Sequence, residues 1–207
     1  MEIIKEILNV IVSKIPEKTE SIWTKKINLD DSINFFDYNE SNFKHVANIV
    51  LDDEVGKYNK KKRKTLIKFN PVNYLEFKEQ AEWIYIFTID DKIVKIGGSR
   101  VSLFNRTQSY LCGHHTIDRG NSGSCSNTNA FIYNTFIHYL QLKYEIQMYG
   151  FKLPKIFVDI EILNKKIKIP VQTFHSYESI YLNSFRKKYK KFPYLNYNID
   201  PNYSNVF

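Results

Sequence analysis

The sequence predicts an α+β fold: a small central antiparallel sheet, made of a hairpin plus a third strand, flanked by helices and preceded by a mainly helical N-terminal extension. Three observations predict it. Trp83, Tyr85 and Phe87 alternate with Ile84, Ile86 and Thr88, which is the two-residue period of a strand. Asp90-Asp91-Lys92 is a turn signal, and Ile93 to Gly97 follows as the returning strand. Helix-like runs and one more strand-like run then share the C-terminal part of the chain.

Taken in order, Ile3, Ile4, Ile7, Leu8 and Ile11 recur at helical spacing, so residues 2–14 read as an amphipathic helix. Residues 16–55 are mixed and polar, with short apolar pieces such as Phe43 to Leu51. A basic run from Lys57 to Lys68 reads either as a solvated surface or as an arm contacting phosphates through Lys61, Lys62 and Arg63. Pro71 marks a break, and Tyr74 to Gln80 reads as a short helix. After the hairpin, Gly97-Gly98-Ser99 leads into a helix over 101–111. Cys112 to Asn129 is rich in Gly, Ser and Asn and reads as an inserted loop, and 130–148 as a long helix. Lys155 to Leu163 is the third strand, which Lys165 to Ile169 extends as a hairpin. Ser176 is a plausible N-cap for a last helix running to about Lys188. The expected division is an N-terminal extension over 1–80 and a second domain over 81–207 that holds the inserted loop.

The chain has 207 residues, 43% of them apolar by type, enough for a real core and too apolar for general disorder. A formal charge of +8 favours a polyanionic partner. Two cysteines, Cys112 and Cys125, do not make a disulfide framework, and the charged start is neither a signal peptide nor a membrane span. The expectation is a cytoplasmic, prokaryotic protein with no membrane association.

The order strand, turn, strand, helix, helix, strand, helix resembles the layout of GIY-YIG nucleases. Trp83-Ile84-Tyr85 followed by Lys95-Ile96-Gly97 is a degenerate form of the naming motif, with Trp83 at the first glycine and Lys95 at the second tyrosine. The lysine resembles the type II restriction endonuclease branch. Arg106 and Tyr110 follow on the next helix, Glu178 lies on the last, and Phe192-Pro193-Tyr194-Leu195-Asn196 looks like the Pro-x-x-Asn ending of many members. The resemblance spans about Trp83 to Asn198.

It implies hydrolysis of a DNA phosphodiester with Mg²⁺ (or Mn²⁺) held by Glu178, and Tyr85 accepting the proton of the attacking water. A tyrosine with a pKa of about 10 is a poor base at neutral pH, and an ammonium at Lys95 beside it would favour the phenolate. A three-residue loop over Asp90 to Lys92 would pair Tyr85 with Gly97 and set Lys95 diagonally on the same face; a two-residue loop would separate them. Arg106 and Tyr110, four apart, share a helix face, where the guanidinium can grip a phosphate. Asn196 would fix the active-site end of the last helix. His114, His115 and Arg119 could reach DNA from the loop; zinc binding by Cys112, His114, His115 and Cys125 fits no common module. His175 reads as a cap or packing residue.

The leading expectation is a restriction-like endonuclease cutting double-stranded DNA as a homodimer. Alternatives are a mobile-element or repair nuclease, a nucleic-acid-binding protein that does not cleave, and an unrelated basic interaction protein.

Overall fold

The computed structural model describes residues 23–38, 42–52, 65–119 and 125–196. The expected helix at 2–14 and the basic residues Lys61, Lys62 and Arg63 lie outside them. The elements run α1 (Phe35–Tyr38), β1 (Lys44–Leu51), β2 (Ile67–Pro71), α2 (Tyr74–Lys78), β3 (Trp83–Ile89), β4 (Lys92–Ser99), α3 (Leu103–Leu111), α4 (His114–Arg119), α5 (Asn127–Gln141), β5 (Ile146–Lys152), β6 (Ile156–Ile162), β7 (Lys165–Val171) and α6 (Phe174–Tyr189), closed by a 3₁₀ turn at Tyr194–Asn196. The fold is α+β: a five-stranded antiparallel sheet in the order β2-β1-β5-β3-β4, flanked by helices. No described helix is long and apolar enough to cross a membrane.

All seven residues of β3 are buried, because helices cover both faces of the sheet there. Trp83, Tyr85, Phe87 and Ile89 join a core with α5 through Ile132, Tyr133 and Phe136. Ile84 and Ile86 join a second core with Phe174 and Phe185 of α6 and with Tyr38 of α1. The alternation legible in the sequence is thus a division between two apolar layers, not between core and solvent.

The sheet is larger than the sequence suggested. The N-terminal region read as mainly helical supplies β1 and β2, and β1 pairs with β5 from Lys44↔Gly150 to Ile49↔Ile146. Ala47, Ile49 and Ile67 are buried, so these strands belong to the same core. The helix expected over 130–148 stops at Gln141. Lys143 takes φ 71°, and the Tyr144 N–H bonds the Tyr139 carbonyl, a left-handed termination. Residues 146–152 then form the central strand, whose mixture of polar and apolar residues carries no clean alternation. Lys155 to Leu163, expected as the third strand of the sheet, pairs only with β7 in a separate two-stranded sheet.

Local caps explain where the helices begin. Ser102 Oγ accepts from the Asn105 N–H and Ser126 Oγ from the Asn129 N–H. The last helix starts at Phe174 rather than after Ser176. Its first turn is anchored instead by Glu82 Oε2, which accepts from both the backbone N–H and the hydroxyl of Thr173 at 2.9 Å. The Cys112–Asn129 segment holds the short helix α4 and a disulfide between Cys112 and Cys125. That bond removes both sulfurs as zinc ligands and corrects the reading of the segment as a simple loop.

Candidate active site

The hairpin sets Tyr85 and Lys95 on one face by an unexpected route. Asp90 and Asp91, at φ 45° and 60°, make a two-residue turn, with Ile89 opposite Lys92. A two-residue turn alone would set Tyr85 and Lys95 on opposite faces. A bulge between Phe87 and Thr88 restores the parity: Thr88 pairs with Ile93 but Phe87 pairs with Lys95, leaving Val94 as the extra residue. Tyr85 therefore lies opposite Gly97 and diagonal to Lys95, on one face. The expected pairing holds; the expected three-residue loop does not.

Tyr85 and Tyr110 are wholly buried, and their hydroxyl oxygens are 2.5 Å apart. Arg106 Nε donates to the Tyr85 oxygen at 2.9 Å, and the guanidinium carbon lies 4.6 Å from the centre of the Tyr110 ring. Arg106 also donates to Ser109 Oγ at 3.3 Å, which fixes the side chain along α3. Glu178 on α6 is 9% exposed and Lys95 on β4 is 5% exposed. The charge of Glu178 acts on Tyr85, Lys95, Arg106 and Tyr110 alike. Residues spread over more than ninety positions are brought together where α3 and α6 approach β4 from the two faces of the sheet.

Two glycines make this approach possible. A Cβ on Gly97 would sit 2.3 Å from the Tyr85 hydroxyl oxygen, and one on Gly98 would sit 2.8 Å from Glu178 Oε2. Each glycine thus clears space for one side-chain oxygen. The sequence showed the Gly-Gly pair only as the end of a strand; which oxygens it accommodates depends on contacts across the sheet and to α6.

Asn196 spends its side chain on backbone. Its side-chain carbonyl accepts from the Ile96 N–H at 2.8 Å and its amide donates to the Ile96 carbonyl at 2.7 Å. It imitates a neighbouring strand on the outer edge of β4 and holds the backbone between Lys95 and Gly97. The role expected of it at the end of the last helix is replaced by this one.

Burial raises the pKa of Tyr85, opposed by the Arg106 charge and by hydrogen bonds from Tyr110 and Arg106. Burial also raises Tyr110 well above its ordinary value, and there the Tyr85 hydrogen bond adds to the rise. The rise is greater at Tyr110, and Tyr85 alone receives the Arg106 hydrogen bond, so Tyr85 is the phenol better suited to lose its proton. The Tyr110 and Tyr85 phenols in turn push the Arg106 guanidinium still further toward its charged form. Lys95 is pushed down to about 8 by burial, with Glu178 opposing and Arg106 adding to the fall. The cation that reaches Tyr85 is therefore Arg106, not Lys95 as the sequence suggested.

Of the remaining expected residues, His114 Nδ1 lies 2.8 Å from the Leu111 carbonyl oxygen, and its ring centre is 4.1 Å from that of His115. Both begin α4, and Arg119 ends it. The His175 ring packs on Phe174, with centroids 3.8 Å apart. No group of three or more His, Cys, Asp or Glu positioned for a metal ion occurs among the described residues.

No family model matches the chain, and no curated protein matches it. Among solved structures it is similar to one described as restriction endonuclease HPY188I in complex with product DNA, at 25% sequence identity and TM-score 0.52, over 86% of this chain and 95% of that one. The chain shares its fold with a restriction endonuclease. A mutant of bacteriophage T4 EndoII also matches, at 18% identity and TM-score 0.48, over 74% of this chain and 96% of that one. The assignment to the GIY-YIG superfamily and its type II branch is corrected accordingly. Both halves of the motif are altered here, at Trp83 and Lys95, no family model matches, and what stands is likeness of fold to HPY188I.

Proposed function

We propose that this chain is an endonuclease that hydrolyses phosphodiester bonds of double-stranded DNA at a short sequence, acting as a restriction enzyme does and as a homodimer. The observation that carries the proposal is the hydrogen-bonded set Tyr85, Tyr110 and Arg106, with Lys95 on the Tyr85 face and Glu178 within electrostatic reach, in a fold shared with HPY188I. A half-buried guanidinium whose Nε bonds a phenol and whose Nη1 bonds a serine hydroxyl keeps N–H groups for an approaching anion. Phosphoryl chemistry needs such a set: a base for water, a fixed cation for the equatorial oxygens, and relief of charge on the leaving oxygen.

Tyr85 is proposed to take the proton of the attacking water. To do so Tyr85 acts as the phenolate, having first released its own proton to solvent, and is left as the neutral phenol; a hydrogen bond from Tyr110 and one from Arg106 would stabilise that phenolate beforehand, and Arg106 presents its remaining N–H groups to a phosphate oxygen. Lys95 balances Glu178 within the cluster. Glu178 is the residue that would hold Mg²⁺ (or Mn²⁺). A single hard carboxylate fits a cation that keeps several waters and takes phosphate oxygens as further ligands, and it does not fit a dedicated protein cage. When bound, the ion supplies Lewis-acid stabilisation of charge on the phosphate. His114, His115 and Arg119 are proposed to approach the duplex outside the cluster. Lys61, Lys62 and Arg63 are proposed as phosphate contacts, and the N-terminal region as contributing to DNA contact and dimerisation.

Incubation with plasmid and Mg²⁺, beside a Glu178→Ala variant, is the test. Discrete fragments that disappear in the variant support the proposal. A smear points to a nonspecific nuclease; retained DNA binding with no cleavage by either protein points to a binder and ends the catalytic reading.

A further inference from the structure

Two hydroxyls of α3, on Thr107 and Ser109, bond back to the carbonyl three residues earlier. For a serine or threonine inside a helix that bond is ordinary, and alanine at the same place favours the helix slightly more. Thr107 is wholly buried, and its hydroxyl meets the Phe104 carbonyl at 2.8 Å. Ser109 is half-buried and differs in what else reaches it. Its hydroxyl donates to the Arg106 carbonyl at 2.6 Å, and its oxygen accepts from Nη1 of the same Arg106 at 3.3 Å. One hydroxyl thus ties the guanidinium to the backbone of its own residue.

Ser109 is in turn held from outside the helix. Its carbonyl lies in the last turn of α3, where intrahelical donors run out. The Gly113 N–H, four residues on, bonds the Tyr110 carbonyl instead. Asn129, in the first turn of α5, supplies a donor: its Nδ2 reaches the Ser109 carbonyl at 3.0 Å, while Ser126 Oγ caps its backbone N–H at 3.2 Å. Contacts therefore run from Asn129 to Ser109, from Ser109 to Arg106, and from Arg106 Nε to the Tyr85 oxygen at 2.9 Å. A long side chain loses much rotamer freedom when it must meet one oxygen. A guanidinium already held at Nη1 has less of that freedom left to lose.

We propose that Ser109, backed by Asn129, is a positioning residue that fixes the Arg106 guanidinium against the Tyr85 oxygen and aims its remaining N–H groups at a phosphate. The aim at phosphate rests on the nuclease reading; the fixing of the guanidinium does not. The test is ¹⁵N NMR of the full-length protein, reading the heteronuclear NOE of the Arg106 Nε–Hε group, identified by its loss in Arg106→Lys. Plasmid cleavage with Mg²⁺ and thermal melting are measured on the same samples. The variants are Ser109→Ala, Ser109→Thr, Asn129→Ala and, as a control, Thr107→Val, which deletes the same kind of helix bond on another residue.

The parent is expected to show an ordered Nε–Hε group. In Ser109→Ala the NOE should fall toward that of an exposed arginine, and the cleavage rate should fall about tenfold. The melting temperature should hold or rise, because alanine is the better helix former; a merely structural role for Ser109 would lower it and leave the NOE alone. Ser109→Thr keeps the hydroxyl and should restore both order and rate, Asn129→Ala should lower both by less, and Thr107→Val should leave Arg106 ordered.

An Arg106 group as ordered in Ser109→Ala as in the parent overturns the proposal. Failure of Ser109→Thr to restore order does so too, as does an equal loss in Thr107→Val, which would make the effect one of α3 as a whole. Cleavage at the parental rate despite lost order removes Ser109 from the reaction. Order that depends on Ser109 in a protein that cuts nothing keeps the positioning and sinks the nuclease reading.

Discussion

At the scale of single residues, the site turns on the Tyr85 oxygen. It lies 2.5 Å from the Tyr110 oxygen and accepts from Arg106 Nε at 2.9 Å. Removing that oxygen removes the proposed base, and Tyr85→Phe should lower the rate by about 10²–10⁴-fold with DNA binding retained. Tyr110→Phe should cost less, because it deletes one partner and leaves the base. Burial still holds the Tyr85 phenol above its ordinary value in the free protein. The cleavage rate should therefore climb as pH rises above neutrality, and a flat pH–rate profile would count against a phenol as base.

Lys95 gives a stability prediction of definite sign. Its folded pKa is about 8 against 10.5 for the ordinary group, so the unfolded chain holds the proton more tightly. The charged ammonium costs stability below pH 8, and that cost fades as pH rises from 8 toward 10.5. Denaturant midpoints should rise between pH 7.5 and 9.5, and Lys95→Met should flatten the dependence. Equal slopes in the two proteins would place Lys95 in water.

At the scale of elements, β4 is the strand around which the site is organised. Its inner side pairs with β3, and its outer side is capped by Asn196, whose amide bonds both backbone groups of Ile96. Asn196→Ala leaves two buried polar groups unpaired and should cost about 2–5 kcal/mol by thermal or denaturant melting. Gly98→Ala would push a methyl group against Glu178 Oε2 and the Phe174 ring where α6 crosses the strand. Its expected signature is weakened Mg²⁺ dependence of cleavage, seen as a higher metal concentration for half-maximal rate. If metal titration curves of the Gly98→Ala and parent proteins overlay, Glu178 is not the metal ligand.

At the scale of the whole molecule, residues before and after position 80 build one sheet. β1 and β2 continue it beyond β5, and Ala47, Ile49 and Ile67 are buried in the same core as Tyr85 and Tyr110. Removing residues 1–80 would expose one edge of β5 and uncover that core, so the chain 81–207 alone should fail to fold cooperatively. A sharp thermal transition from the truncated chain would show that the division proposed at 80 marks a true domain boundary.

What the sequence determined by itself was local. The two-residue alternation of β3, the acidic turn, and Arg106 and Tyr110 four apart on one helix were all legible, because each depends on neighbours within one element. The α+β class followed from those periods. The tertiary structure decided the rest, because it depends on contacts between distant residues. Residues 146–152 show no clean alternation and become a strand through pairing with β1 and β3. Lys95 reaches the Tyr85 face because a bulge at Val94 offsets a two-residue turn, and periodicity does not record a bulge. Arg106, not Lys95, is the cation at the Tyr85 oxygen for the same reason: charge acts through space, and only the packing of α3 and α6 against β4 fixed those distances.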